Sequence, residues 1–245
     1  MEADSHPDQT NQTNQSASTD HRCPLCASDQ AQEIHRDRGA KPSRSQRAYY
    51  RCRGCNLIFV LPDSFLSPQA EKAEYDLHQN HAQDLGYRRF LARLADPLLQ
   101  RLAPQSQGLD FGSGPGPTLS VMLEETGHTV ALYDQFYAHN AAVFDQAYDF
   151  ITATEVIEHL RQPRQELDRL WRCLRPCGVL GLMTKLSRDD AAFARWHYKS
   201  DRTHICFFSR QTFEWLATRW QADLTILGQD VILLGKRSQP ACPSR

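Results

Sequence analysis

The sequence predicts an α/β protein: a mostly parallel sheet, helices on both faces, an antiparallel last strand, and a small cysteine-bearing module in front. Three observations carry this. Beyond residue 86, strand-like and helix-like stretches alternate, the pattern of parallel sheets with helical crossovers. The final two strands, residues 224–227 and 231–235, are joined only by Gly228-Gln229-Asp230, too short for a parallel crossover, so they pair as an antiparallel hairpin. Ahead of all this, four cysteines fall in two C-x-x-C pairs.

Composition bounds the rest. The 245 residues are 40% hydrophobic and 23% charged, ordinary for a soluble globular chain. No apolar run approaches the roughly 18 residues needed to span a bilayer. Residues 1–20 hold four acids, no Lys or Arg, and many Gln, Asn, Ser and Thr, and read as a disordered tail. The tail has neither the basic start nor the apolar core of a secretion signal, so a cytoplasmic protein is expected. The net charge of -1 gives no overall pull toward nucleic acid or membrane.

Residues 21–61 form the cysteine module. Cys23-Pro24-Leu25-Cys26 and Cys52-Arg53-Gly54-Cys55 can each sit on a tight turn that aims two thiolates at one point. Two such turns close a tetrahedron around Zn²⁺ at about 2.3 Å per bond. Strand-like runs at 48–50 and 57–60 flank the second pair, as a zinc-ribbon-like hairpin requires. So short a segment has little core, and a metal would supply much of its folding energy. Free thiols or an iron–sulfur centre are the alternatives. With Cys23, Cys26, Cys52 and Cys55 all as ligands, no coordination site stays open and the metal is structural. Eight Lys/Arg against three Asp/Glu make the module basic. Arg36, Arg38, Lys41, Arg44, Arg47, Arg51 and Arg53 offer phosphate contacts, and Tyr49 and Tyr50 offer rings for bases. The same cations also suit a solvated loop, or balance the negative charge of a Zn(Cys)₄ centre.

Residues 62–106 read as a helical cap and residues 107–245 as the main domain. Helical stretches are expected at 70–78 and 86–102; in the second, Tyr87, Phe90, Leu91, Leu94, Leu98 and Leu102 recur at helical spacing. A strand at 108–111 runs into Gly112-Ser113-Gly114-Pro115-Gly116-Pro117, followed by a helix at 118–126. The strand at 129–133 ends on Asp134. Another at 149–153 leads into Glu155-Val156-Ile157-Glu158-His159. A helix at 164–174 and a strand at 179–184 follow, and Ser209 caps a helix through 219.

The glycine loop points to the cofactor class. Glycines directly after a strand let backbone approach a ligand closely. The dinucleotide fingerprint G-x-G-x-x-G is absent, since Pro117 takes its third glycine, and no G-K-[ST] holds a triphosphate. What stands here is Asp110-x-Gly112-x-Gly114-x-Gly116, with Asp134 at the end of the next strand, where an acid accepts hydrogen bonds from ribose hydroxyls.

At this point residues 70–237 resemble the class I S-adenosylmethionine-dependent methyltransferases. LDFGSGPGP is similar to their motif I, ALYD to the ribose-binding strand end, and YDFITATEVIEHL to the fourth strand with its E-V-[IL]-E-H ending. LRPCGVLGLMT resembles the turn and fifth strand, with Cys177 replacing the usual first glycine. The resemblance implies a Rossmann-like, seven-stranded-type sheet of order 3-2-1-4-5-7-6 with the seventh strand antiparallel. It implies that S-adenosylmethionine lies on Gly112, Gly114 and Gly116, with Asp134 on the ribose and Asp110 and Glu155 close by. Only 14 residues separate Asp134 from Asp149, so the third strand is expected to be short or missing. Asp145 is then the nearest acid for the adenine amine, with Phe136 or Tyr137 as an alternative cover for the ring. Helices before the first strand of this fold commonly close over the cofactor, which nominates Tyr75, His78 and Tyr87.

Methyl transfer from a sulfonium is an in-line displacement, so alignment and desolvation matter most, with a general base where the acceptor is a hydroxyl. Glu158, His159 and His204 are the catalytic candidates. Glu155-x-x-Glu158-His159 also resembles a cation-binding set in ubiquinone-pathway O-methyltransferases and small-RNA 2′-O-methyltransferases, with His204 placed to complete a divalent site; in many other family members the same ending binds cofactor or orders the loop. Trp196 and Tyr198 are expected either near the acceptor or in ordinary packing. The leading reading is a methyltransferase for a small metabolite or sugar hydroxyl, with zinc as a brace. The alternatives are an RNA or protein methyltransferase that uses the basic module as adaptor, and a non-catalytic cofactor-binding protein.

Overall fold

The computed structural model describes residues 21–37, 46–77 and 81–238. The expected tail, His78, Arg38, Lys41 and Arg44 lie outside these residues. The module contributes β1 (Ala31–Arg36), β2 (Ala48–Cys52) and β3 (Ile58–Phe59), paired antiparallel in that order. Next come α1 (Pro68–Tyr75) and α2 (Leu85–Leu99). Ser67 caps α1 by accepting from Ala70 N, with Pro68 opening the helix; Asp84 caps α2 by accepting from the Gly86 and Tyr87 amides. Leu91, Leu94, Ala95 and Leu98 are the buried stripe of α2.

Strand–helix alternation then follows as β4 (Gln107–Phe111), α3 (Thr118–Glu124), β5 (Thr129–Tyr133), β6 (Tyr148–Thr154), α4 (Pro163–Cys173) and β7 (Leu174–Met183). The chain finishes with α5 (Asp190–Ala194), β8 (Cys206–Phe207), α6 (Arg210–Trp220), β9 (Asp223–Leu227) and β10 (Val231–Gly235). The main sheet has the order β5-β4-β6-β7-β10-β9. The first four strands are parallel, and β10 runs antiparallel to both neighbours. Counted by the expected order, the sheet lacks its third strand. A short 3₁₀ helix, Ala141–Asp145, stands in that interval and leaves β5 as the edge. The edge is covered by aromatic packing of Phe144 on Tyr133, with ring centroids 4.7 Å apart.

Alternating side chains feed two cores. Phe150, Val179 and Leu233 join the α2–α3 face, whereas Ile151, Leu180 and Ile232 join the α4–α6 face. The second core does not stop at the sheet. It continues through Phe207 and Phe208 into Leu57, Ile58 and Tyr49 of the module.

That continuity joins the basic module to the rest of the chain. β8 extends the module's own sheet, with Ile58 opposite Phe207 and Phe59 opposite Cys206. Val60 N donates to Ile205 O at 3.1 Å. Arg47 is buried and its guanidinium donates to the carbonyls of Asp201 and His204. Arg51 donates to Asp190 and to the Arg188 carbonyl, both at 2.8 Å; Arg36 pairs with Glu33, and Arg53 bonds Gln32. Tyr49 and Tyr50 are buried, so the base-stacking role expected of them does not fit. Arg47 and Arg51 thus tie the module to residues 188–204, whereas Arg36 and Arg53 stay exposed on partners within the module.

Candidate functional site

A cleft of about 740 Å³ opens above the carboxyl ends of β4, β5 and β6, the edge where open α/β sheets bind ligands. Its floor begins with Asp110 on β4. This side chain is buried, accepts from Thr152 Oγ1 at 2.8 Å, and burial pushes its carboxyl up to about 6. Gly112 and Ser113 then donate their amides to Tyr133 O at 2.7 and 3.2 Å, folding the glycine loop back over β5. Gly112 has φ +75°, and a Cβ there would stand 2.4 Å from a Val156 methyl. Gly114 is different: φ is +64°, and a Cβ would meet nothing within 4 Å, because it faces the cleft.

Asp134 closes this loop. Its Oδ2 accepts from Gly114 N at 3.0 Å, and its Oδ1 from Phe136 N at 2.8 Å and Tyr137 N at 3.1 Å. A carboxylate has about four acceptor sites, so three backbone amides leave little free capacity. The side chain expected on a ribose is thus also a clip between two loops. Phe136 and Tyr137 line the cleft; Asp145 does not, since it sits in the 3₁₀ helix at the sheet edge. Across the opening, Tyr137 donates to Asp76 at 2.6 Å beside α1, and Tyr75 packs on Phe136 and His159 at 5.8 and 5.4 Å. Tyr87 also lines the cleft.

The far wall carries the titratable groups. Glu155, directly after β6, has φ +53°, a left-handed conformation that costs a non-glycine residue energy and recurs at functional sites. Burial, then the neighbouring Glu158, pushes its carboxyl up to about 8. Glu158 is fully buried, and burial raises it too. Tyr198 OH donates to Glu158 and, at 3.3 Å, to Glu155. Among the described residues, Glu155 Oε1 and Glu158 Oε2 find no hydrogen-bond partner.

His204 faces this pair from the long connection after β7. Its Nδ1 lies 2.7 Å from Tyr198 O, which assigns the proton of the neutral ring to Nδ1 and leaves Nε2 as an acceptor. Burial, then His159, lowers its pKa. The His159 and His204 ring centroids are 4.7 Å apart. Ligand atoms of Glu158, His159 and His204 lie within 4.8 Å of one another, close enough for one cation. Glu155 stands outside that set and is linked to it through the Tyr198 hydroxyl and the charge of Glu158. Tyr198 and Asp201 are the residues that the sequence underweighted. Asp201 Oδ2 approaches His204 Nε2 at 3.6 Å, and the signal was present in the polar–aromatic density of residues 196–204.

The four module cysteines also converge. Cys23 Sγ lies 3.6 Å from Cys55 Sγ, and Cys26 Sγ 3.4 Å from Cys52 Sγ. Thiolates about 2.3 Å from a tetrahedral zinc stand about 3.8 Å apart, so the cluster fits that ion after a small expansion.

Comparison with known proteins follows the same line. A family model described as a methyltransferase domain matches residues 81–228. Comparison with curated proteins finds no match. Among solved structures, the chain is similar to a SAM-dependent methyltransferase from Thermotoga maritima at 16% identity, covering 60% of this chain and 89% of that one, with a TM-score of 0.40. It is similar to the 1,6-didemethyltoxoflavin-N1-methyltransferase of Burkholderia thailandensis at 14% identity, over 81% and 99% of the two chains, TM-score 0.47. An O-methyltransferase family protein of Burkholderia thailandensis shares 15% identity over 69% and 60%, TM-score 0.45.

Proposed function

The chain belongs to the methyltransferase-domain family, as a class I S-adenosylmethionine-dependent member, and on that premise we propose that it methylates a hydroxyl group of a small molecule. The observation that carries this reading is the pair of converging imidazoles, His159 and His204, beside the glycine-loop cleft. A neutral imidazole whose Nε2 carries no proton, with Asp201 Oδ2 3.6 Å away, suits removal of a hydroxyl proton as the methyl group arrives.

S-adenosylmethionine, when bound, supplies an electrophilic sulfonium methyl. The residues present fit it: Gly114 leaves the loop open to a ligand, and Ser113 Oγ and Glu155 Oε1 are buried without partners among the described residues. Gly112, Gly114 and Gly116 would bring backbone against the methionine part, with Asp110 beneath. Asp134 and Phe136 would take the ribose and adenine side, and Tyr75 and Tyr87 would exclude water from above. Burial keeps Glu155 and Glu158 protonated more readily than ordinary carboxyls, which lets them donate as well as accept.

A second reading has its own support. Among the described residues Glu158 Oε2 has no partner, and with His159 and His204 it forms a set suited to a divalent cation that would orient the acceptor oxygen. Chelation separates the two: a metal site loses turnover and regains it with Mg²⁺, Mn²⁺ or Zn²⁺, whereas a plain base is indifferent. In the module, Cys23, Cys26, Cys52 and Cys55 would hold one structural Zn²⁺. The RNA-adaptor alternative is weakened by the burial of Tyr49 and Tyr50. Calorimetry with S-adenosylmethionine and S-adenosylhomocysteine tests the core claim, and no binding of either at millimolar ligand would overturn it.

A further inference from the structure

A second pocket of about 770 Å³ opens on the same sheet edge, beyond the end of β7 and against the β9–β10 turn. Its size is ordinary for a small-molecule site. Its charge is not ordinary for this chain. Arg93, Lys185, Arg188 and Arg195 line it against a single carboxylate, Asp230, and Arg93 already pairs with that acid. Among the described residues, no carboxylate comes within 4.0 Å of Lys185, Arg188 or Arg195, although the protein as a whole carries a net charge of -1. Cations gathered around one cavity repel each other and attract an anion.

The segment that carries two of these cations is anchored along its backbone, and the Arg188 and Arg195 side chains themselves are exposed. Arg188 and Arg195 bracket α5, whose first turn is capped by Asp189 through Ala192 N at 2.8 Å. Arg51 of the module clamps the same segment through Asp190 and the Arg188 carbonyl. The Lys185 ammonium sits 5.1 Å above the Tyr198 ring. Trp196 packs on Tyr198 at 4.9 Å and on Phe193 at 6.1 Å, and is only partly buried, so it offers the pocket a planar face. Guanidinium groups beside a flat apolar surface are suited to phosphate oxygens next to a ring.

We infer that this pocket binds the phosphate group, single or paired, of a small molecule, and, resting on the methyl-transfer reading, that this molecule is the methyl acceptor. Tyr198 is buried between Lys185, which lines the pocket and sits over its ring, and Glu155, which lines the cleft and accepts from its hydroxyl. Across this one side chain the pocket adjoins the side of the cleft that carries Glu155, which lines the cleft.

The test uses the full chain saturated with S-adenosylhomocysteine and inorganic pyrophosphate as the probe. Calorimetry should show one saturable site whose affinity falls as salt is raised. Arg188→Ala with Arg195→Ala, two exposed positions, should weaken pyrophosphate by about tenfold or more, since both lost contacts are charge-assisted. S-adenosylhomocysteine affinity should not move. No saturation below about 10 mM, or equal binding by the double variant, overturns the site. Failure of S-adenosylhomocysteine itself to bind strikes the methyl-transfer reading instead, so the two failures are distinct. For the acceptor assignment, labelled methyl transfer into a small-molecule extract should be lost after phosphatase treatment; transfer that survives overturns it.

Discussion

Replacing Gly112 by alanine probes the glycine loop through two separable costs. The residue sits at φ +75°, where an L side chain loses about 1–2 kcal/mol. The added Cβ would also stand 2.4 and 2.7 Å from the two methyls of Val156, and overpacking of that kind costs about 1–3 kcal/mol. Gly112→Ala should therefore destabilise the chain by about 2–5 kcal/mol in urea unfolding. Val156→Ala removes the methyls but not the backbone strain. The double variant should recover the packing share and leave the conformational share, a coupling of about 1–3 kcal/mol between the two sites. Affinity for S-adenosylhomocysteine should fall in Gly112→Ala and partly return in the double variant, because the same contact sets how the loop lies over β5. A Gly112→Ala protein within about 0.5 kcal/mol of the native one, or a cycle with no coupling, would refute this account of the loop.

Three further outcomes are expected. Protein prepared without chelator should carry one Zn²⁺ per chain, and Cys52→Ser should release it; because Arg47 and β3 hold residues 201–207, hydrogen exchange there should rise together with that of the module, and unchanged protection would contradict the shared sheet. Asp110 has a native value of about 6 against 3.8 for the free group, so its contribution is full below 3.8 and lost as pH rises through 6. Asp110→Asn should flatten that fall, worth at most about 3 kcal/mol, in urea titrations between pH 4 and 7; identical slopes would show that the burial penalty is misassigned. Cys177 is exposed at φ +65°, so Cys177→Gly should raise stability by about 1 kcal/mol, and a lower urea midpoint would count against strain at that turn.

Much of the sheet was legible because its signals are local. Strands β5 and β10 run over the residues that alternation and turn chemistry predicted, and the missing third strand followed from the 14 residues between Asp134 and Asp149. β8 was not legible. Two residues, Cys206 and Phe207, are too few to show a period, and their partners lie nearly 150 positions earlier. The same blindness hid the role of Arg47. A basic residue beside tyrosines has the local signature of a nucleic-acid contact, and only tertiary packing turns it inward onto two carbonyls. In the site, Glu155, Glu158 and His159 were visible as a cluster along the chain, but Tyr198 joins the two acids across about 40 positions, a link that no spacing rule contains.

The pairing of β3 with β8 has a consequence for how the protein is made. Strands β1, β2 and β3 leave the ribosome well before β8, the fourth member of their sheet, which comes about 150 residues later. The early module must wait with Ile58 and Phe59 unpaired on one edge, an arrangement of high contact order that slows folding and exposes a sticky strand meanwhile. Metal capture by the four cysteines, all present before residue 56, can hold the hairpin in shape during that wait. A shortened chain that begins after the module would start folding sooner, but it would finish with Phe207 and the backbone of β8 bare, and precipitation is the expected fate of such a fragment.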